Sequence, residues 1–199
     1  MPYQAHLSKD RKLKKIIEQS ERVELHTATN VYLSLCKSII SQQLSTKVAQ
    51  VIYTRFLALY ENKTPDPSHI LDTSVEQLRS IGLSHSKANY IHNVCRFWME
   101  NKITDKQLEK MSDEEIIDKL TEIKGIGRWT VEMILMFTLG REDVFAVDDL
   151  GIQRAMCKLF NIDSSDKKQM KMTMIDHAEK WKPFRTYACI HLWRWRDDV

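Results

Sequence analysis

Apolar residues return at every third or fourth place along almost the whole of this chain, and the residues that would interrupt such a rhythm are scarce: five glycines and four prolines in 199 positions. That spacing lays the apolar side chains along one stripe of an α-helix, and no stretch alternates with the period of two that a half-buried strand needs. The fold is therefore expected to be all-α. With 43% hydrophobic and 29% charged residues, the chain is long enough to bury a substantial core, as one domain or two intimate lobes. It has no apolar run of about 18 residues and no basic-then-apolar leader, which predicts a protein with neither a membrane span nor a secretory signal. The expected location is cytoplasmic, nucleoid-associated in a bacterium or nuclear in a eukaryote. Cys36, Cys95, Cys157 and Cys189 lie in apolar segments without CxxC spacing and read as buried thiols rather than as disulfides or metal ligands. A net charge of +3 permits nucleic-acid binding through local patches without requiring it.

The punctuation divides this rhythm into helices. Lys9 to Glu24 reads as a charged amphipathic helix, Val31 to Ile40 as a core helix, and a third from about Thr46 to Tyr60 stops before Pro65 and Pro67. Capping-box patterns mark further starts at Thr73 with Glu76, Thr104 with Gln107 and Ser112 with Glu115. Gly82 separates two helices, and Gly125 and Gly127 separate two more. Gly140 closes the helix that begins at Arg128, Asp148 and Asp149 open the next as far as Phe160, and Pro183 starts a last one through Trp195. No linker or low-complexity run marks a domain boundary.

The stretch Lys124 to Phe137, KGIGRWTVEMILMF, sets two glycines, an arginine and a tryptophan at the mouth of an apolar helix. Glycine permits unusual backbone torsions and a close approach, and the helix start behind it offers unpaired N–H groups and a positive dipole end, a combination that suits phosphate. Lys124 and Arg128 add positive charge beside it. Taken from Leu120, the segment resembles the helix-hairpin-helix motif of the DNA glycosylase superfamily, in which an essential Asp follows downstream. Here Asp143-Val-Phe-Ala-Val-Asp-Asp149 stands in that place. Ile39-Ile-Ser-Gln-Gln-Leu-Ser45 is similar to the family's minor-groove loop, Leu78 to Ala88 to its other helical hairpin, and Trp181 to Trp193 to the C-terminal helix of the alkylpurine branch. The resemblance covers about Val31 to Trp195 and points to the 3-methyladenine DNA glycosylase II (alkylpurine) type, in a short form. It implies a single two-lobed domain over 1–199. One lobe would span about 31–140 with the hairpin at 116–139, the other would join the N-terminal helix to about 141–199, and the active cleft would lie between them.

The resemblance also assigns residues. Members with lyase activity carry a lysine where this chain has Trp129, because a Schiff base needs an amine. Tryptophan implies a monofunctional N-glycosylase and offers a cationic alkylated base a stacking face. Trp193 would be a second pocket ring, and Met133 and Leu150 stand where some members of the branch have aromatic residues. An alkylated purine departs neutral and needs no general acid, so the group to stabilise is the sugar cation, which a carboxylate does. In the alkylpurine branch the second of two adjacent Asp residues is catalytic, which points to Asp149 and leaves Asp148 to cap the helix or meet the backbone. The base must be flipped out and the hole plugged, by Gln43 or by Ser45. Lys124, Gly125, Gly127 and Arg128 would hold the DNA backbone. No organic cofactor is implied, but the main-chain carbonyls of Thr121, Ile123 and Ile126 match those that bind a structural Na+ or K+ in several members. His191 reads as a packed or surface histidine rather than a pocket group. The partner implied is double-stranded DNA with damaged bases, met by a monomer with no membrane role. The rival readings are a glycosylase for another lesion and a non-catalytic helix-hairpin-helix DNA-binding module.

Overall fold

The computed structural model of the chain describes residues 2–61 and 63–197. Among them are thirteen α-helices and no strand: α1 (Pro2–Leu7), α2 (Arg11–Gln19), α3 (Val31–Ser41), α4 (Thr46–Ala58), α5 (Pro67–Asp72), α6 (Val75–Ser80), α7 (His85–Glu100), α8 (Asp105–Lys110), α9 (Asp113–Thr121), α10 (Arg128–Phe137), α11 (Leu150–Phe160), α12 (Lys167–Glu179) and α13 (Arg185–Asp197). No described helix is long and apolar enough to cross a membrane. The helices form two compact units, Ala28–Ile134 and Met1–Thr27 with Leu135–Val199.

In the unit Ala28–Ile134 the core is α3 and α7. α3 buries Val31, Leu33, Leu35, Cys36, Ile39 and Ile40, and α7 buries Ala88, Ile91, Val94, Cys95 and Trp98. α4 packs on α3, while α5 and α6 pack on α7. α3 has no side-chain cap of its own: Asn30 stands at φ 66°, and the Asp105 carboxylate from the first turn of α8 accepts the N–H groups of Asn30 at 2.6 Å and Val31 at 3.3 Å. A cap supplied from 75 positions away leaves no local motif.

The other unit is built on α13, which packs against α11 and α2. Its aromatic core includes Trp181, whose ring meets Phe145 and Phe160 and whose Nε1 donates to Asp10 at 3.1 Å. Tyr3 stacks on Tyr187 with centroids 4.1 Å apart. Arg185 forks onto the Asp143 carboxylate at 2.7 and 2.9 Å, anchoring the segment before α11 to the start of α13.

Several element boundaries differ from the sequence expectation. The helix read over Lys9 to Glu24 is confined to α2, because Asp10 caps it through the N–H groups of Lys12 and Leu13 and Ser20 turns extended. The capping box expected at Thr73 with Glu76 is one residue later, at Ser74 with Gln77. Thr73 instead ends α5, its hydroxyl donating to the His69 carbonyl at 3.0 Å. The boxes at Thr104 and Ser112 form as read. Pro183 precedes α13 rather than starting it, and α12, capped by Asp166, was not foreseen.

Candidate active site

α9 and α10 are joined by a turn at 122–127 that the Ile126 N–H closes onto the Ile123 carbonyl at 3.0 Å. Both isoleucines are buried. Gly125 stands at φ 107°, and a Cβ built on it would lie 2.4 Å from Cγ of Tyr90, whose ring from α7 covers it. A left-handed backbone and room for a ring are both required there, and only glycine meets both. Gly127 differs: a Cβ there would meet nothing within 4 Å. Its lack of a side chain preserves an open approach to the start of α10, where the first N–H groups lack helical partners and carry the positive dipole end. Lys124 is exposed beside it, and its carbonyl accepts a hydrogen bond from Asn93 Nδ2 at 3.2 Å.

Arg128 is engaged within the protein. Its Nη1 and Nη2 donate to Glu114 at 3.2 and 2.8 Å, and its Nε donates to Glu132 at 3.1 Å. The hydrogen bond from Arg128 lowers the Glu114 pKa, and Glu114 raises that of Arg128. Glu132 is buried, so this network fixes the first turn of α10 to α9. The Glu114 partner was not recognised in the sequence, because a Glu fourteen positions upstream of Arg128 carries no motif.

Along α10, Trp129 is 42% exposed, Met133 half-buried and Phe137 50% exposed. They recur every fourth residue on one face, while Val131, Ile134, Leu135 and Met136 fill the core. An exposed row of two aromatic rings and a thioether is poorly suited to water and well suited to a flat apolar ligand. Phe137 was overlooked in the sequence although it ends the same stretch as Trp129: following the four-residue period two turns further would have found it.

Asp149 is the N-cap of α11. Its Oδ1 accepts the Ile152 N–H at 2.9 Å and the indole N–H of Trp193, on α13, at 2.8 Å. The Trp193 ring in turn lies 6.0 Å from that of Phe137 at an interplanar angle of 34°. Asp148, one residue earlier, is exposed and paired with Lys171 of α12 at 2.5 Å. Two adjacent aspartates thus have different surroundings: Asp149 accepts the Ile152 and Trp193 N–H groups, and Asp148 pairs with a lysine at the surface. Leu150 is 66% exposed. At Gly151 a Cβ would lie 1.9 Å from Arg196 Nη1, so the glycine admits a guanidinium close to Asp149. His191 is buried, its Nδ1 2.5 Å from the Ser20 hydroxyl, and Nε2 has no hydrogen-bond partner among the described residues. Burial first, then the charge of Arg194, lowers its pKa to about 4.

Between α3 and α4, Gln42 is the C-cap of α3 and Gln43 stands exposed at φ 59°. The Ser45 hydroxyl accepts the Val48 N–H at 3.4 Å as the N-cap of α4. Among the described residues no cluster of three His, Cys, Asp or Glu side chains is placed to hold a metal. The carbonyls of Thr121, Ile123 and Ile126 are a separate kind of donor: Ile123 accepts one hydrogen bond and a carbonyl oxygen has two lone pairs.

Comparison with known proteins gives a consistent set. The family described as HhH-GPD superfamily base excision DNA repair protein matches residues 36–183. DNA-3-methyladenine glycosylase 1 of Schizosaccharomyces pombe is 39% identical over 165 residues, covering 82% of this chain and 71% of the relative. Among solved structures, DNA-3-methyladenine glycosidase from Bacillus halodurans is similar with a TM-score of 0.85 and 37% identity over 98% of this chain and 89% of that one. The 3-methyladenine DNA glycosylase of Schizosaccharomyces pombe in complex with abasic DNA is similar with a TM-score of 0.83 and 34% identity, over 98% and 96%.

Proposed function

This chain belongs to the HhH-GPD superfamily of base excision DNA repair proteins, and from that premise we propose that it is a DNA-3-methyladenine glycosylase: a monofunctional N-glycosylase that releases alkylated purines of the 3-methyladenine and 7-methylguanine kind from duplex DNA. The observation that carries the reading is the Asp149 carboxylate, fixed at one oxygen by the Trp193 and Ile152 N–H groups. Relatives named for this activity support it, one of them solved with abasic DNA.

In this reading the DNA backbone is held at the hairpin by Lys124, the start of α10 and the open surface at Gly127, with Gly125 shaping the turn. Arg128 gives rigidity to that platform through Glu114 and Glu132 and meets phosphate only by exchanging a partner. Gln43 fills the space left by the extruded base. Ser45 is the weaker candidate for that part because its hydroxyl is used as a helix cap. A Na+ or K+ held by the carbonyls of Thr121, Ile123 and Ile126 would add positive charge for a phosphate to approach.

The extruded base stacks on the exposed row that Trp129, Met133 and Phe137 form along α10. An alkylated purine is cationic, and an indole face adds about 0.5–2 kcal/mol of attraction that a neutral base does not receive. The base leaves neutral as the glycosidic bond breaks, and positive charge moves to the sugar. Asp149 stabilises that charge and orients the water that adds to C1′, its carboxylate turned by the two donors on Oδ1. Trp193 therefore serves through its N–H, with its ring packed near Phe137. Since Trp129 holds the position of the lyase lysine, no Schiff base forms and the strand stays intact.

Incubation of methylated duplex DNA with the protein, followed by chromatography of the released bases, tests the reading. Free 3-methyladenine and 7-methylguanine are expected from the wild type, with strand cleavage only after alkali and no borohydride-trapped adduct. Asp149→Asn is expected to lower release by about 100-fold or more while leaving DNA binding intact. Release at the wild-type rate by Asp149→Asn would refute the mechanism.

A further inference from the structure

The second helical hairpin, from Leu78 to Ala88, has no part in the chemistry above, yet it contains a lysine in an unfavourable place. Lys87 sits in the first turn of α7, where the dipole disfavours a cation, and burial lowers its pKa. What offsets both is at the end of α3. There the Ser38 and Ile39 carbonyls accept the Gln42 N–H at 3.2 and 3.3 Å, and the Ser41 carbonyl accepts the Leu44 N–H at 3.2 Å. The carbonyls of Ile40 and Gln42 both accept from Lys87 Nζ, at 2.8 and 2.7 Å. One ammonium thus closes the end of α3 on either side of Ser41, at its negative dipole end. The next residue is Gln43, exposed and at φ 59°, a conformation that a residue with a side chain holds only when its surroundings impose it. On its far side the Ser45 cap fixes the start of α4.

We propose that Lys87 is a positioning residue that locks the loop bearing Gln43, so that the second hairpin acts on DNA through the plug. The inference rests on the reading of Gln43 as the residue that fills the duplex. With the clamp in place, Gln43 enters the base stack from a preformed loop. Without it, the loop must be ordered at each encounter, and opening the duplex becomes slower while the chemistry is unaltered.

The test compares single-turnover release of 7-methylguanine from a duplex and from a single-stranded oligonucleotide of the same sequence, which has no stack to plug. Lys87→Met is expected to lower the duplex rate about tenfold and leave the single-strand rate within about twofold, Lys87→Arg to restore most of the duplex rate, and Gln43→Ala to mimic the loss. Adding Lys87→Met to Gln43→Ala is expected to cost nothing further, because both act on one step. Circular dichroism reports folding, and Lys87→Gln, which keeps one donor group, replaces Lys87→Met if the latter does not fold. A wild type that releases no base, or Gln43→Ala at the wild-type duplex rate, overturns the reading beneath the proposal. Lys87→Met that cuts duplex normally, loses equally on both substrates, or adds its full loss to that of Gln43→Ala overturns the role of Lys87.

Discussion

Replacing Trp193 by Phe separates two services that one side chain performs. The substitution keeps an aromatic ring beside Phe137, now 6.0 Å away, and deletes the indole N–H that Asp149 Oδ1 accepts at 2.8 Å. A hydrogen bond to a charged group contributes about 1.5–3 kcal/mol, which at 1.36 kcal/mol per decade corresponds to about 10–150-fold in rate if all of it serves the transition state. The Ile152 N–H still holds the same oxygen at 2.9 Å, so the carboxylate stays anchored in part and the lower end is expected, about 10–30-fold. The assay is single-turnover release of 7-methylguanine from a duplex, with affinity for a duplex containing an abasic-site analogue measured in parallel. The rate is expected to fall and the affinity to change by less than about threefold, since the interaction is with the catalytic group rather than with DNA. In an Asp149→Asn background, Trp193→Phe is expected to cost little more, because the charge it orients is gone. A full wild-type rate in Trp193→Phe, a loss confined to affinity, or a loss that adds undiminished to that of Asp149→Asn would refute the positioning role.

The remaining expectations concern the neighbouring features. Asp148→Asn, which removes a surface pair with Lys171, is expected to change stability by at most about 1 kcal/mol in urea unfolding and to leave base release near wild type. Gly127→Asp meets no steric obstacle and should fold normally while weakening binding to every duplex alike, with a shallower salt dependence in titrations; Gly125→Ala, by contrast, is expected to lower the melting temperature, since it places a Cβ 2.4 Å from the Tyr90 ring on a left-handed backbone. Trp129→Leu should reduce release of cationic 7-methylguanine more than that of neutral hypoxanthine, and equal losses in a side-by-side excision assay would dispose of the stacking argument. His191 is kept neutral by burial, with its pKa lowered to about 4; the unfolded chain then binds more protons as pH falls from about 6.5 to about 4, so stability is present in full above that window and is lost within it, by up to about 3 kcal/mol. Urea unfolding across that range is expected to show a flatter acid limb in His191→Asn, and an unchanged limb would exclude His191 as its cause.

What the sequence determined by itself was the class of fold and the places where the chain must turn. Periodicity of three and four, with so few breakers, leaves helices as the way to bury the apolar stripe, and Ser112, Thr104 and Asp149 start helices through contacts three residues away, which a local pattern can carry. Gly125 and Gly127 were visible in the same way, though not that they serve opposite ends, one admitting the Tyr90 ring and the other keeping a surface bare. Only the tertiary structure decided which donors and acceptors meet across the chain. Nothing near Asn30 announces that Asp105 will cap α3, nothing near Arg128 that Glu114 will take its fork, and nothing near Asp149 that the N–H of Trp193, 44 positions later, will hold its carboxylate. Nothing near Lys87 in the sequence marks it out, and folding brings it to the carbonyls of Ile40 and Gln42 at the end of α3. Local rules act over one helical turn and leave their mark in the spacing of neighbours, whereas these long-range bonds depend on how helices pack, which no short stretch of the chain specifies.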